Sequence, residues 1–101
     1  MIVIAGTIRI DTAHESEAVV AAAEMMVETH KEEGCFEYVF SRDLEEAGTF
    51  RIFEEWESQE ALDLHFASPH MATFQKALGG LGVKDMAIKR YKVSSSGPLR
   101  G

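Results

Sequence analysis

The chain has 101 residues, a formal net charge of −7 at pH 7 and a hydrophobic fraction of 46%. This length predicts one small domain, and the acidic balance excludes a nucleic-acid partner, which needs a basic surface. The charge also argues against binding to an anionic membrane surface, and no segment is long and apolar enough to span a bilayer. A single cysteine, Cys35, allows no intrachain disulfide, so we expect a cytoplasmic protein.

The first part of the chain predicts a strand followed by a helix. Residues from about Met1 to Ile10 alternate with a period of two, which is typical of a strand. Thr12 and Glu15 form a capping-box signature, with Asp11 as a rival N-cap. The helix that follows is expected to end at Gly34. Its predicted apolar face has helical spacing and consists of Val19, Ala23, Met26 and His30, with Val20 and Val27 beside them.

The rest of the chain predicts three more strands and a helix broken in two. Residues 35–42 and 49–56 alternate as strands around a polar loop at 43–48. In the first of these strands we expect Phe36, Tyr38 and Phe40 on one face. Ser58 caps a short helix, and Ser68-Pro69 reads as the N-cap and first residue of another. A last strand is expected over residues 83–93.

The element order is therefore βαββαβ with a broken second helix. It predicts a ferredoxin-like α+β fold, in which helices cover one face of an antiparallel sheet. We expect one domain over residues 1–93 and a flexible tail over 94–101, because the tail is rich in Ser, Gly and Pro.

Both faces of the predicted sheet carry apolar side chains. Val3 and Ala5 oppose the isoleucines of the first strand, and Phe53 opposes Phe50 and Ile52. Two helices can cover only one face, which would leave an unusually large apolar patch in water. The sequence therefore predicts a homodimer packed sheet against sheet, with a small cavity between each sheet and its helices or between the two sheets.

Three segments resemble a known family. They are Gly34-Cys35 at the start of a strand, Glu54-x-Trp56-Glu57-Ser58 at the end of another, and His65-Phe66-Ala67-Ser68-Pro69-His70-Met71 between two helices. Together they are similar to the antibiotic biosynthesis monooxygenase (ABM) family, in particular to its quinol-monooxygenase-like branch. The resemblance covers residues 1–93.

The resemblance implies a dimeric α+β barrel with a pocket in each subunit. It further implies oxygenation of a quinol or polyphenol by O₂ without a metal, flavin or haem. A haem-degrading branch of the same fold uses Asn, Trp and His where this chain has Thr7, His65 and Gln75, so that role is not expected. A third branch isomerises or degrades a phosphorylated signalling sugar and shares the His-x-x-x-Pro-His pattern.

Cofactor-free oxygenation requires a base, an oxyanion donor and a dry pocket. His65 is the candidate catalytic base, because its ordinary pKa lies near neutrality; a cap or packing role at the helix break is the alternative. No metal site is expected from the spacing of His65 and His70. The candidate substrate-binding residues share a place on the strands or at the helix break: Thr7, Tyr38, Arg51, Phe53, Trp56 and His70.

Several of these residues also have structural interpretations. Trp56 fits a core residue as well as a pocket wall, and His70 fits a structural role in the first turn of its helix. Glu54 lies on the face of Trp56 and is either a buried acid or part of an ion pair.

Two other functions remain open at this point. One is an isomerase or lyase of a small phosphorylated metabolite, for which Arg9, Arg51 and Lys84 are the strand-borne candidates to bind phosphate. The other is a non-catalytic dimeric module that binds a ligand.

Overall fold

The computed structural model describes residues 1–101 and has the predicted element order. Its elements are β1 (Ile2–Ile10), α1 (Glu15–Thr29), β2 (Cys35–Arg42), β3 (Thr49–Trp56), α2 (Gln59–Phe66), α3 (Pro69–Leu78) and β4 (Val83–Lys92). The strands form one antiparallel sheet in the order β2-β3-β1-β4. This confirms the ferredoxin-like α+β prediction. None of the helices has the length and apolar composition that crossing a membrane requires.

Short polar side chains begin the helices, as the sequence indicates. The Ser58 hydroxyl accepts a hydrogen bond from the Ala61 amide, and the Ser68 hydroxyl accepts one from the Met71 amide. Both satisfy amides that have no partner within a first helical turn. The rival cap Asp11 replaces Thr12: its carboxylate accepts from the amide of Ala13 in a 3₁₀ turn that precedes α1.

The buried face of α1 is shifted from the predicted face by one position along the sequence. Its buried side chains are Ala18, Ala22, Met25 and Thr29, while Val20 and Val27 are 58% and 59% exposed. The two small alanines let the helix lie close against the sheet, and the larger valines beside them project into solvent. The helical spacing was correct, but the apolar pattern of α1 fits two adjacent faces almost equally.

A β-bulge near the start of β2 corrects a second prediction. Cys35 lies opposite Trp56, whereas Glu37 lies opposite Glu55, so one residue is unpaired between them. That residue, Phe36, is 61% exposed and does not share a face with Tyr38. An extra residue of this kind shifts the alternation of side chains, and Cys35 rather than Phe36 packs against the core.

The inner face of the sheet, toward the helices, carries the even-numbered residues of β1 and β3, which are mostly buried. The outer face carries Val3, Ala5, Val39 and Phe53. All ten residues of β4, an edge strand of the sheet, are exposed. Residues 94–101 contain no helix or strand; the domain boundary at residue 93 remains a prediction.

Candidate functional site

A cavity of about 310 Å³ lies between the inner face of the sheet and helices α2 and α3. Most of its lining is apolar, and every strand contributes to it. Its polar lining residues are Tyr38, Glu54, Gln75, Lys89 and Arg90. A volume of this size falls at the lower end of the range for small-molecule sites.

Glu54 places a carboxyl group in the wall of this cavity. The residue is 5% exposed, and its Oε1 accepts a hydrogen bond of 2.8 Å from the indole nitrogen of Trp56. Burial raises the pKa of Glu54 to about 7, with a smaller contribution from the charge of Glu32, while the Trp56 hydrogen bond acts in the opposite direction. Of the two alternatives for Glu54, the structure therefore favours the buried acid.

This raised pKa makes the stability of the fold depend on pH. The ordinary pKa is 4.5, so between pH 4.5 and about 7 the folded state retains a proton that the unfolded state has released. The contribution of Glu54 to the free energy of unfolding is greatest below pH 4.5. It decreases by about 3 kcal/mol in total as the pH rises through 7. The lowered pKa of His65 acts in the opposite sense, because its contribution is lost as pH falls below its ordinary value of 6.5.

Glu54→Gln is expected to remove the first of these dependences. Relative to the unmodified protein, the variant should gain about 3 kcal/mol in free energy of unfolding between pH 4.5 and about 8. Urea unfolding across that range measures the difference, in which the common His65 contribution cancels. Glu55→Gln, on the outer face of the same strand, is the matched control; a difference that is flat with pH for Glu54→Gln would contradict the expectation.

Tyr38 lies directly across from Glu54 in the β2–β3 register and lines the same cavity. Burial raises the pKa of its phenol, and the charges of Glu54 and Glu32 add to the shift. The hydroxyl therefore stays protonated over the physiological range and can donate a hydrogen bond to an anion in the cavity.

His65 is 1% exposed and lies beside the cavity without lining it. Its ring centroid is 4.8 Å from that of Trp56 and 5.3 Å from that of Tyr38. Its Nδ1 donates a 2.7 Å hydrogen bond to Oε2 of Glu32, while Nε2 is buried without a partner. Burial lowers the pKa of His65, and Glu32 opposes that shift.

His70 joins the same cluster. Its Nε2 donates to Oε2 of Glu32 over 2.6 Å, so one carboxylate oxygen accepts from both imidazoles. The three ligand-type atoms lie within 4.8 Å of one another, a donor set that zinc also accepts. The cluster needs no metal to satisfy these groups, since the two N–H donors and the carboxylate pair with each other. The sequence expectation of no metal remains a prediction.

The remaining predicted residues lie on the outer face of the sheet. Thr7 and Arg51 are paired in register and border a shallow depression there. Phe53, on the same face, is 38% exposed. Arg51 forms an ion pair of 2.9 Å with Asp43. The structure thus gathers Tyr38, Trp56, His65 and His70 on the helix side and separates them from Thr7, Arg51 and Phe53.

Sequence reasoning missed one member of the inner group entirely. Glu32 follows α1 in a turn and contacts histidines 33 and 38 positions later. No short-range pattern marks such a residue among the glutamates around it. The alternation of β3, in contrast, was sufficient to place Glu54 beside Trp56 on the inner face.

Comparison with known proteins identifies relatives of the whole fold. Residues 1–77 match the family model described as antibiotic biosynthesis monooxygenase. An uncharacterised protein of Synechocystis is 32% identical, across 97% of this chain and 67% of its own length. A crystal structure of a candidate antibiotic biosynthesis monooxygenase from Deinococcus radiodurans has a TM-score of 0.91 at 29% identity and covers all of both chains.

A conserved protein from Methanosarcina mazei has the same fold, with a TM-score of 0.84, 26% identity and 90% of each chain covered. The family model spans more than half of the chain, and its match agrees with the three segments that suggested the resemblance. This chain therefore belongs to the antibiotic biosynthesis monooxygenase family.

Proposed function

We propose that this protein is a monooxygenase that oxidises a quinol or related polyphenol with O₂ and without a bound cofactor. The observation that carries the proposal is Glu54, a carboxyl group with a pKa of about 7 in the wall of an apolar cavity. A general base is most effective when its pKa lies near the working pH. Family membership supports the reaction class, and the substrate class is our inference.

The first step is removal of a phenolic proton by the Glu54 carboxylate. The resulting phenolate gives an electron to O₂ more readily than the phenol does. The radical pair combines to form a peroxide on the ring, and the peroxide takes the proton back from Glu54. Loss of water then leaves a hydroxyquinone. One oxygen atom of O₂ enters the product and the other leaves as water, so the quinol supplies all four electrons and no further reductant is needed.

The surroundings of Glu54 suit this chemistry. Tyr38 provides a hydroxyl that remains protonated and can donate to the developing oxyanion. Arg90, opposite Ile4 on the inner face, places a positive charge on the β4 side of the cavity, where it can stabilise a phenolate. The apolar remainder of the lining offers a largely non-polar surface for the aromatic ring of the substrate.

We also propose that the protein is a homodimer in which the outer sheet faces pack together. The outer face exposes Phe53 and, on β4, Tyr91, which is 47% exposed. Covering these side chains would remove apolar surface from water, and it would enclose the depression beside Thr7 and Arg51. A sedimentation mass equal to one chain at micromolar concentration would contradict the dimer.

Oxygen uptake tests the reaction directly. Metal-stripped protein is added to a panel of hydroquinones and polyphenols in an oxygen electrode. We expect uptake above autoxidation for at least one member, with a single atom from ¹⁸O₂ in the product. If no member of the panel gives uptake above that of buffer alone, the proposal fails.

The same assay separates the two alternative functions. An isomerase or lyase would form product without consuming oxygen, and a binding module would be stabilised by ligand with no product at all. Two of the three strand-borne candidates to bind phosphate are already in ion pairs, Arg9 with Glu46 at 3.0 Å and Arg51 with Asp43 at 2.9 Å.

A further inference from the structure

One row of side chains crosses the inner face of the sheet, with one residue from each strand. Tyr38 of β2 is paired with Glu54 of β3. Ile4 of β1 lies between two partners, Glu54 on one side and Arg90 of β4 on the other. Residues that are directly opposite in antiparallel strands share a face of the sheet, and all four of these residues line the cavity. The row therefore ends at β4 with an arginine.

The spacing of the strands separates this arginine from the carboxyl group of Glu54. Neighbouring strands lie about 4.8 Å apart, so the backbones of Glu54 and Arg90 are about 10 Å from each other. The side chain of Ile4 occupies the row between them. An aromatic ring that lies over Ile4 can thus present a hydroxyl group to Glu54 and a substituent on its far side to Arg90.

Arg90 differs from the other arginines of the sheet because it has no acidic partner. Each strand carries one arginine. Those of β1, β2 and β3 form ion pairs with carboxylates, at 3.0, 3.6 and 2.9 Å. The guanidinium of Arg90 makes one hydrogen bond, in which Nη1 donates to the side-chain oxygen of Gln59 over 3.1 Å. A guanidinium has five N–H donors, so most of its donors remain available.

A second contact fixes the uncharged partner of Arg90. The amide nitrogen of Gln59 donates to Oδ1 of Asp63 over 2.9 Å, one turn farther along α2. The Gln59 oxygen is then directed to the guanidinium, which can only donate. Asp63 therefore holds the amide in place, and Arg90 is positioned by a group that does not neutralise its charge.

The guanidinium lies at the rim of the cavity, where a ligand can reach it. The side chain of Arg90 begins on the inner face of β4 and ends beside Gln59, at the start of α2. It therefore bridges the sheet and the helix at one edge of the cavity, which Leu62 and Phe66 of α2 line on the helix side. Arg90 is exposed, so its free donors are accessible without any movement of the core.

We infer that Arg90 is a specificity-determining residue, which binds a carboxylate attached to the ring of the substrate. The inference deepens the proposed function and rests on it for the identity of the ring. A guanidinium binds a carboxylate through two parallel N–H···O hydrogen bonds, and Nε and Nη2 of Arg90 make no hydrogen bond within the protein. The substrate class is then a quinol with an acidic side chain. Arg90 holds that side chain and attracts the phenolate from across the ring.

Binding measured without oxygen tests this inference apart from the reaction. Isothermal titration calorimetry under nitrogen compares a hydroquinone that bears an acetate side chain, a dihydroxyphenylacetate, with its methyl ester. The two compounds have the same ring and differ in charge. We expect the acid to bind about tenfold or more tightly than the ester, because hydrogen bonds between charged groups are stronger than those of neutral groups.

Substitutions of Arg90 assign this preference to its guanidinium. Arg90→Gln should abolish the preference for the acid and leave the affinity for the ester nearly unchanged. Arg90→Lys keeps the charge without the planar pair of donors, so it should retain only part of the preference. Lys92→Gln is the matched control, since Lys92 lies on the same face of β4, opposite Ile2, but does not line the cavity.

Gln59→Glu provides a test that leaves Arg90 in place. It puts a carboxylate where the uncharged oxygen of Gln59 now accepts from the guanidinium. The new carboxylate should compete with that of the ligand, so the affinity for the acid should fall severalfold while the affinity for the ester stays nearly the same.

The outcomes separate the carboxylate site from the reaction. Equal affinities for acid and ester, no binding of either compound, or a preference that Arg90→Gln retains would each overturn the inference. Tighter binding of the matching dihydroxybenzylphosphonate than of the carboxylate would also overturn it, since phosphate would then be the anion that is recognised. A preference that depends on Arg90, in a protein that consumes no oxygen with any quinol, would support the carboxylate site and overturn the proposed reaction.

Discussion

Glu54→Gln is expected to reduce quinol oxidation by about 10²–10⁴-fold, the usual contribution of a general base. Glutamine has nearly the same shape as glutamic acid and can still accept the hydrogen bond from Trp56, which the carboxyl Oε1 accepts at 2.8 Å. It cannot take a proton from a phenol. The fall should therefore appear in kcat, with the cavity and its affinity for the substrate largely retained.

The measurement is the initial rate of oxygen uptake at saturating quinol, as a function of pH. In the unmodified protein the rate should rise with pH through about 7, because the ionised form of Glu54 is the base and its pKa lies there. Glu55→Gln changes a carboxylate on the opposite face of β3 and should preserve both the rate and its pH profile. Equal rates for Glu54→Gln and Glu55→Gln would remove Glu54 from the mechanism.

Gly6→Ala is expected to destabilise the fold by about 3 kcal/mol, the upper part of the usual range for overpacking. Gly6 lies in β1 opposite Ile88 of β4. A methyl group at this position would overlap the carbonyl oxygen of Ala87 and would lie 2.5 Å from the Cα of Ile88. These are backbone atoms, so the clash cannot be relieved by a side-chain rotation and the strand itself must move.

Urea unfolding gives the free energy for this variant, with Gly97→Ala as the matched control. An added Cβ at Gly97 meets nothing within 4 Å, so that change should have almost no effect. Movement of β4 should also widen the cavity and weaken binding of the quinol. Equal stability of Gly6→Ala and Gly97→Ala would show that β1 and β4 are not packed as closely as described.

The sequence correctly predicted those features that depend on residues close together in the chain. Serine caps at Ser58 and Ser68, the alternation of β3 and the βαββαβ order all follow from neighbouring residues, and each is confirmed. These features were enough to identify the fold, and the three recognised segments were enough to identify the family.

The errors have physical causes that local patterns do not contain. The prediction of the buried face of α1 was wrong because the helix packs closely against the sheet through the small residues Ala18 and Ala22, and not through the larger valines. The β-bulge at Phe36 removes this side chain from the face that it was predicted, from alternation alone, to share with Tyr38. Glu32 was missed because its contacts depend on how the turn after α1 approaches two helices that are distant in sequence.

The exposure of strand β4 affects how the sequence of this protein can diverge during evolution. It forms one wall of the cavity, through Met86, Ile88, Lys89 and Arg90, yet no residue of β4 belongs to either hydrophobic core cluster. Substitutions on this strand can therefore reshape the space offered to a substrate while the packing that stabilises the fold is left intact. The β4 part of the cavity wall can thus diverge between relatives without change to either core cluster, whereas Ile4, Tyr38 and Ile52 belong to both the cavity wall and the core.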